Sequence, residues 1–326
     1  MIICQTPLRV SFFGGGTDFP EHFSEHGGAV LATAIDKYII HAVTPFHSEL
    51  FDYSLRLAYR KVECVKRRAD IQHAPFREIL AQFGVERGLE VTLSADLPAF
   101  SGLGSSSSFT VGLINALSAH QGRFIPTRDL ARAAIRMERV VLKETVGLQD
   151  QITAAYGGLN VVEFSGADNF VVNRVAVSRD KIRDLDDSLM LFFTGLTRKA
   201  SDIEKKKLKN AHTKRDSLRA MHALVEKAHR ILVGHQPLSA FGELLDATWK
   251  EKRALSAGVS TPAIDRMYAK AMSAGALGGK LLGAGGGGFM LLFVPRERQA
   301  KVRAALKGFI EEPFSINAPG SRIIHS

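Results

Sequence analysis

Hydrophobic periodicity along the chain predicts an α+β protein of two domains. Three observations carry this. The first 60 residues alternate apolar and polar in short runs, the period of half-buried strands, whereas later segments repeat apolar positions every three to four residues, the period of helices. The two patterns are mixed without the strand–helix–strand regularity of a parallel sheet. At 326 residues, 45% of them hydrophobic, the chain can fill a sizeable core and more naturally makes two domains than one.

Residues 2–10 and 29–43 read as strands, with turn signals and hairpins between them. An apolar strand at 89–93 leads through a glycine-rich turn into a helix from Ser105 to His120, and a second helix is predicted over 127–144. The polar, irregular stretch from 158 to 187 predicts strands with a crossover, followed by a buried strand at 189–193. The domain boundary falls in this region, giving domains of 1–180 and 181–326. Beyond it the sequence predicts helices over 200–233, 238–255 and 262–274, then a glycine cluster and a strand at 289–294.

Composition narrows the partners. Lys+Arg number 43 against 33 Asp+Glu, and the resulting +10 favours anionic ligands, either nucleic acid or phosphorylated small molecules. The densest basic stretch, from Arg198-Lys199 through Lys205-Lys206-Lys207 to Arg219, reads as a solvated helix face. It has no interleaved aromatics, so nucleic acid is not expected. No apolar run approaches the roughly 20 residues of a membrane span, and the N-terminus lacks the order of a signal peptide, which predicts a cytoplasmic protein without a membrane partner. Cys4 and Cys64 form no CxxC pair and are expected to be reduced. His22 and His26 have i, i+4 spacing, but no glutamate follows His22, so the zinc-hydrolase pattern is missing.

Three glycine-rich segments carry the chemistry. In the middle one, Pro98-Ala-Phe-Ser101-Gly102-Leu103-Gly104-Ser105-Ser106-Ser107-Ser108, a strand feeds a helix start whose exposed amides can hold anionic oxygens. Glycine allows close approach of the backbone, and serine hydroxyls can donate to phosphate or ligate Mg²⁺. No Gly-Lys-Ser/Thr follows, which excludes a Walker A loop; a plain glycine turn with serine caps is the structural alternative. The third cluster, Gly283 to Gly288, satisfies Gly-x-Gly-x-x-Gly but runs into a second strand rather than a helix, so a dinucleotide fold is not predicted. Its residues, Gly285 and Gly286 among them, could instead close on a ligand from the opposite side, or form only a flexible hairpin.

Leu130, Ala134, Met137 and Val141 place Glu138 on an apolar helix stripe, where a carboxylate needs a partner or a metal. Asp150 follows twelve residues later in Gly147-Leu-Gln-Asp150-Gln151. One acid could hold Mg²⁺ and the other accept a hydroxyl proton, the division of labour in phosphoryl transfer; an N-cap aspartate and a buried ion pair are the alternatives. At the N-terminus, Arg9 stands on a strand and Asp18 just past Gly14-Gly15-Gly16-Thr17, placed either to serve a substrate or to pair with one another.

Taken in order, Pro7-x-Arg9 with Gly-Thr17-Asp18, Pro98-x3-Gly102-Leu-Gly104-Ser-Ser, Gly147-x2-Asp150-Gln151 and Gly283 to Gly288 resemble the motifs of the GHMP kinases over nearly the whole chain. The resemblance implies an N-terminal domain like domain 2 of ribosomal protein S5, a ferredoxin-like C-terminal domain, and ATP with Mg²⁺ between them. It implies a nucleotide-phosphate site at Pro98 and Ser101 to Ser108, Mg²⁺ ligation by Ser106 and Glu138, and catalytic roles for Asp150 and Arg9. Gly15, Gly16, Thr17, Asp18, Gly285 and Gly286 would line the acceptor. The Glu-His of galactokinases is replaced by Gly15-Gly16. The phrases Gly14 to Pro20, His26 to Val30, Phe193 to Ser201 and Gly278 to Gly283 are similar to those of heptose-7-phosphate kinases within that family. This implies a sugar-phosphate substrate phosphorylated at its anomeric hydroxyl, its distal phosphate met by Arg198, with Lys199 or Lys280 as lesser candidates. An L-fucose kinase of the same fold and a non-catalytic sensor are the competing expectations, and a homodimer is left open.

Overall fold

Long apolar alternation builds β1 (Ile2–Phe13) and β2 (Gly28–Pro45), joined by a short helix α1 (Pro20–His26). In the computed structural model of the chain, which describes residues 1–166, 169–195, 215–255 and 258–326, the two strands pair antiparallel from Ile2 opposite Val43 to Phe13 opposite Leu31. The runs read as strands at 2–10 and 29–43 extend into one strand of 12 residues and one of 18. The turn-like Asp36 and Lys37 fall where the register slips beside Pro7, which has no N–H to complete the ladder. Asp36 is held there by Ser315, whose amide donates to its carboxylate at 2.6 Å.

The strands β3 (Leu55–Ala58), β4 (Val62–Val65) and β5 (Leu89–Ala95) continue the sheet, with α2 (Ala74–Gln82) between β4 and β5. A further hairpin, β6 (Leu159–Ser165) and β7 (Asn169–Arg174), pairs with the first half of β2. All pairs in this sheet are antiparallel except β3 with β5. Helices α3 (Ser105–His120), α4 (Thr127–Arg136) and α5 (Gln149–Tyr156) pack together, α3 and α5 lying on β1 and β2.

After α6 (Arg179–Asp187), β8 (Leu189–Phe193) starts a second sheet. Helices α7 (Arg215–Val233), α8 (Ser239–Leu255) and α9 (Pro262–Ser273) come next, followed by β9 (Gly278–Leu281), β10 (Phe289–Phe293), α10 (Gln299–Ala305) and β11 (Ile310–Glu311). This sheet has the antiparallel order β11-β8-β10-β9. The chain then returns, and β12 (Arg322–His325) pairs with β1 on the edge of the first sheet. The 180/181 division lies inside α6.

Both halves share apolar packing. Phe12 and Phe13 meet Phe241 of α8 edge-on, with centroids 5.3 and 5.0 Å apart, and helix α7 lies against β1 and β2. A second cluster around Trp249, Phe192, Met290 and Leu292 fills the C-terminal sheet. Among the described residues no helix is long and apolar enough to cross a membrane.

Candidate active site

The serine turn stands at the seam between the two sheets. Gly102 and Gly104 take φ of 83° and 75°, the left-handed region that favours glycine. A Cβ on Gly102 would come within 2.7 Å of the Leu282 carbonyl, and one on Gly104 within 3.1 Å of the Arg9 side chain and 3.4 Å of Asp150 Oδ2. The turn delivers the chain into α3 with no side-chain cap, so the first amides of the helix have no intrahelical acceptor and point at a potential anion. Pro98 is exposed, Ser101 and Leu103 are buried, and Ser105 is half-buried. The hydroxyls then divide. Ser106 is exposed, whereas Ser107 donates to Glu138 Oε2 at 2.9 Å and Ser108 to the Pro7 carbonyl at 2.7 Å.

Glu138 does not lie on a continuous helix to 144 as expected. The α-helix stops at Arg136 and passes into a π turn, Met137–Val141, closed by Leu142 N donating to Met137 O at 2.9 Å. Glu138 is fully buried. Its Oε2 accepts from Ser107 and, at 2.5 Å, from Gln151 Nε2; Oε1 has no hydrogen-bond partner among the described residues. Burial pushes the carboxyl up to about 7, against the opposing hydrogen bonds from Thr110, Gln151 and Ser107.

Such an orphaned, buried oxygen fits a hard divalent cation. Mg²⁺ keeps several waters and uses one or two carboxylates plus substrate phosphates, so Glu138 with the exposed Ser106 nearby is a sufficient protein contribution. Among the described residues no group of three or more His, Cys, Asp or Glu is placed to hold a metal alone. The His22 and His26 rings lie 5.3 Å apart without such a group.

Arg9 pairs with Asp150 and not with Asp18. Its Nε and Nη2 donate to Asp150 Oδ1 and Oδ2 at 2.8 and 2.7 Å, and its Nη1 donates to the Gly102 carbonyl at 2.6 Å. The guanidinium is buried and Asp150 remains about a quarter exposed, at 24%. This two-pronged geometry fixes the carboxylate's orientation and leaves lone pairs on its open side.

Asp18 is buried beside it. Its Oδ1 accepts from Gly16 N at 2.9 Å and its Oδ2 from Gln149 N at 3.3 Å. Burial, and then the Asp150 charge, raise its carboxyl above the ordinary range, while the amides oppose the shift. Gly147 makes the room, because a Cβ there would sit 2.0 Å from Asp18 Oδ2. Thr17 belongs to the frame: its hydroxyl lies within hydrogen-bond reach of the Gly14 and Ala29 carbonyls, between which its single proton is shared, and accepts from Ala29 N. Gly15 and Gly16 are half-buried.

The third glycine cluster closes on the serine turn, backbone to backbone. A Cβ on Gly283 would be 2.5 Å from Gly102 Cα, and one on Gly288 2.3 Å from the Ser101 carbonyl, which accepts from Phe289 N at 3.1 Å. Gly285 instead presses on Val259, and Gly286 N donates to the Val259 carbonyl at 3.0 Å. Lys280 is buried with Nζ 2.8 Å from the Phe12 carbonyl. Arg198 and Lys199 lie outside the described residues.

One residue that sequence reading passed over ties this seam together. Lys252 of α8 is buried and donates to the carbonyls of Leu281 and Gly283 at 2.7 and 2.6 Å. Its signal was present: Lys252 continues the apolar stripe of Leu245, Thr248 and Trp249, at helical spacings of three, one and three. Gln151, quoted only as part of a motif, is the other.

Helix-start amides, an acid held by arginine and a second, buried acid with one unpartnered oxygen are gathered around the serine turn and α5 against glycine backbone, an arrangement that suits phosphoryl transfer. Two family models match the chain, "GHMP kinases N terminal domain" over residues 66–158 and "GHMP kinases C terminal" over residues 220–311. The D-glycero-alpha-D-manno-heptose 7-phosphate kinase of Campylobacter jejuni is 31% identical, across 97% of this chain and 96% of its own length. The chain belongs to the GHMP kinases and is an ATP-dependent kinase of that family. The L-fucokinase/L-fucose-1-P guanylyltransferase of Bacteroides fragilis is 26% identical across 98% of this chain, which spans 36% of that protein. A crystal structure of a D-glycero-D-manno-heptose 1-phosphate kinase from Bacteroides thetaiotaomicron superposes with a TM-score of 0.81 over 100% of both chains at 23% identity, which bears out the two-part α+β fold.

Proposed function

We propose that this GHMP sugar kinase transfers the γ-phosphoryl group of ATP to the anomeric hydroxyl of a sugar phosphate, with D-glycero-D-manno-heptose 7-phosphate as substrate and the 1,7-bisphosphate as product. The observation that carries the transfer step is the Arg9 clamp. It holds Asp150 against the backbone of Gly104, at the entrance to the amides of Ser105, Ser106 and Ser107 where the ATP phosphates bind. Glu138 and Ser106 would hold Mg²⁺, which would offset phosphate charge when bound.

Three of Arg9's N–H groups are committed to Asp150 and Gly102, so its main work is to aim the carboxylate. Asp150 then accepts the hydrogen bond of the attacking hydroxyl through a free lone pair, and positioning with electrostatics lowers the barrier. Asp18, Gly15 and Gly16 face the acceptor's hydroxyls, with Gly285 and Gly286 on the opposite side. Thr17 shapes the turn that carries Asp18.

The heptose substrate is supported by the Campylobacter jejuni relative, which matches along nearly its full length. An L-fucose 1-kinase is the second reading, supported by the Bacteroides fragilis relative. Phosphorus NMR of the product formed from ATP, Mg²⁺ and heptose 7-phosphate tests the choice: a new anomeric phosphate resonance is expected. Turnover of free L-fucose with none of heptose 7-phosphate would replace the first reading by the second. Arg198→Ala is expected to raise KM for the sugar phosphate more than it lowers kcat.

A further inference from the structure

We infer that Gln151 is a positioning residue for the cation site, turning the Glu138 carboxylate so that one oxygen is saturated and the other is presented to the metal of the bound nucleotide. The inference rests on the reading of Glu138 given above and extends it to a side chain that has no assigned role.

Gln151 is fully buried at the start of α5. Its Nε2 donates to Glu138 Oε2 at 2.5 Å, and Ser107 donates to the same oxygen at 2.9 Å. The Thr110 hydroxyl, which also acts on this carboxyl, gives its proton to the Ser106 carbonyl at 3.2 Å, so the two donors that reach the carboxylate are both on Oε2 and make it asymmetric. With Glu138 ionised, as metal ligation requires, only the amide nitrogen can donate to it, which sets the amide in this sense. Holding it so leaves Gln151 Oε1 itself buried without a hydrogen-bond partner among the described residues.

The position on the helix adds a second consequence. Successive helical residues point about 100° apart, so the first turn of α5 gives Asp150 to Arg9 and Gln151 to Glu138. One rigid element thus sets both the acid that receives the hydroxyl and the acid that meets the cation. Partners that orient a metal ligand in this way typically control affinity by 10–100-fold.

Calorimetric titration of the full chain with ADP, with and without Mg²⁺, tests this. Gln151→Met removes the donor at similar length, and its MgADP affinity is expected to fall about 10-fold or more while metal-free ADP affinity stays unchanged. Should that variant not fold, as judged by its melting transition, Gln151→Asn withdraws the amide by one methylene and is expected to give the same split. Equal losses with and without Mg²⁺, or an MgADP affinity within about twofold of the parent, would overturn the inference. Glu138→Gln in the same titration separates the two readings. If it loses the Mg²⁺ effect and Gln151→Met keeps it, Glu138 stands and Gln151 falls; if neither loses it, the assignment of Glu138 fails and the inference with it.

Discussion

Asp150 receives two hydrogen bonds from one arginine, so its replacement by asparagine keeps the shape of the site and removes the charge that the guanidinium holds in place. Asp150→Asn is expected to lower kcat by about 10²–10⁴-fold with nucleotide affinity little changed, measured by coupled ADP release and calorimetry. Glu138 gives a prediction in pH. Its carboxyl is raised in the folded protein to about 7 from an ordinary 4.5, so the folded state binds the proton more tightly than the unfolded state. Stability from this group is therefore complete below pH 4.5 and lost as pH rises through about 7. In metal-free protein, Glu138→Gln is expected to match the parent near pH 5 and to exceed it at pH 8 by an amount on the order of 3 kcal/mol, read from denaturant curves. The acids were legible in sequence because an apolar stripe and a glycine turn single them out. Gln151 and Lys252 were less so, since an amide or a lysine in a helix is usually a surface residue, and only the buried partner reveals otherwise.

At the scale of elements, α3, β8 and α9 were readable nearly to the residue, each bounded by a cap, a glycine or a strong apolar run. The run at 29–43 was likewise read as strand, but the register slip at Asp36 and Lys37 was not, because only the pairing with β1 reveals it. The π turn around Glu138 was hidden for a similar reason: periods of 3.6 and a single wider turn leave the same apolar pattern over so few residues. The contact of the serine turn with the third glycine cluster was anticipated only as closure on a ligand. The cluster instead meets the turn itself, which makes its glycines part of the wall. Gly283→Ala tests that contact against a neutral site of like conformation. Gly84 has φ of 65° and open space around its Cβ position, whereas Gly283 at 67° would strike Gly102. Gly84→Ala is expected to cost about 1–2 kcal/mol with unchanged kinetics. Gly283→Ala should cost more in the same melting experiment and also raise KM for ATP.

For the molecule as a whole, the net charge of +10 creates a field that an anionic acceptor feels before contact. KM for the sugar phosphate is expected to rise with salt as the Debye length shrinks from ~30 Å at 0.01 M to ~8 Å at 0.15 M, and KM for an uncharged sugar should not. Initial rates across that range decide it. Fold class was legible from periodicity, but the sheet order was not, since strand partners far apart in sequence leave no local trace.

The pairing of β1 with β12 carries a consequence for biosynthesis. Thr6 and Ser321 share a 2.8 Å hydrogen bond across 315 positions, so the β1 edge waits for a partner synthesised 315 residues later. At ribosomal speeds of ~5–20 residues per second, that interval is roughly 15–60 s. During it β1 presents unpaired amides and carbonyls to any chaperone or neighbouring nascent chain, and the window for misassembly closes only when residues 322–325 emerge.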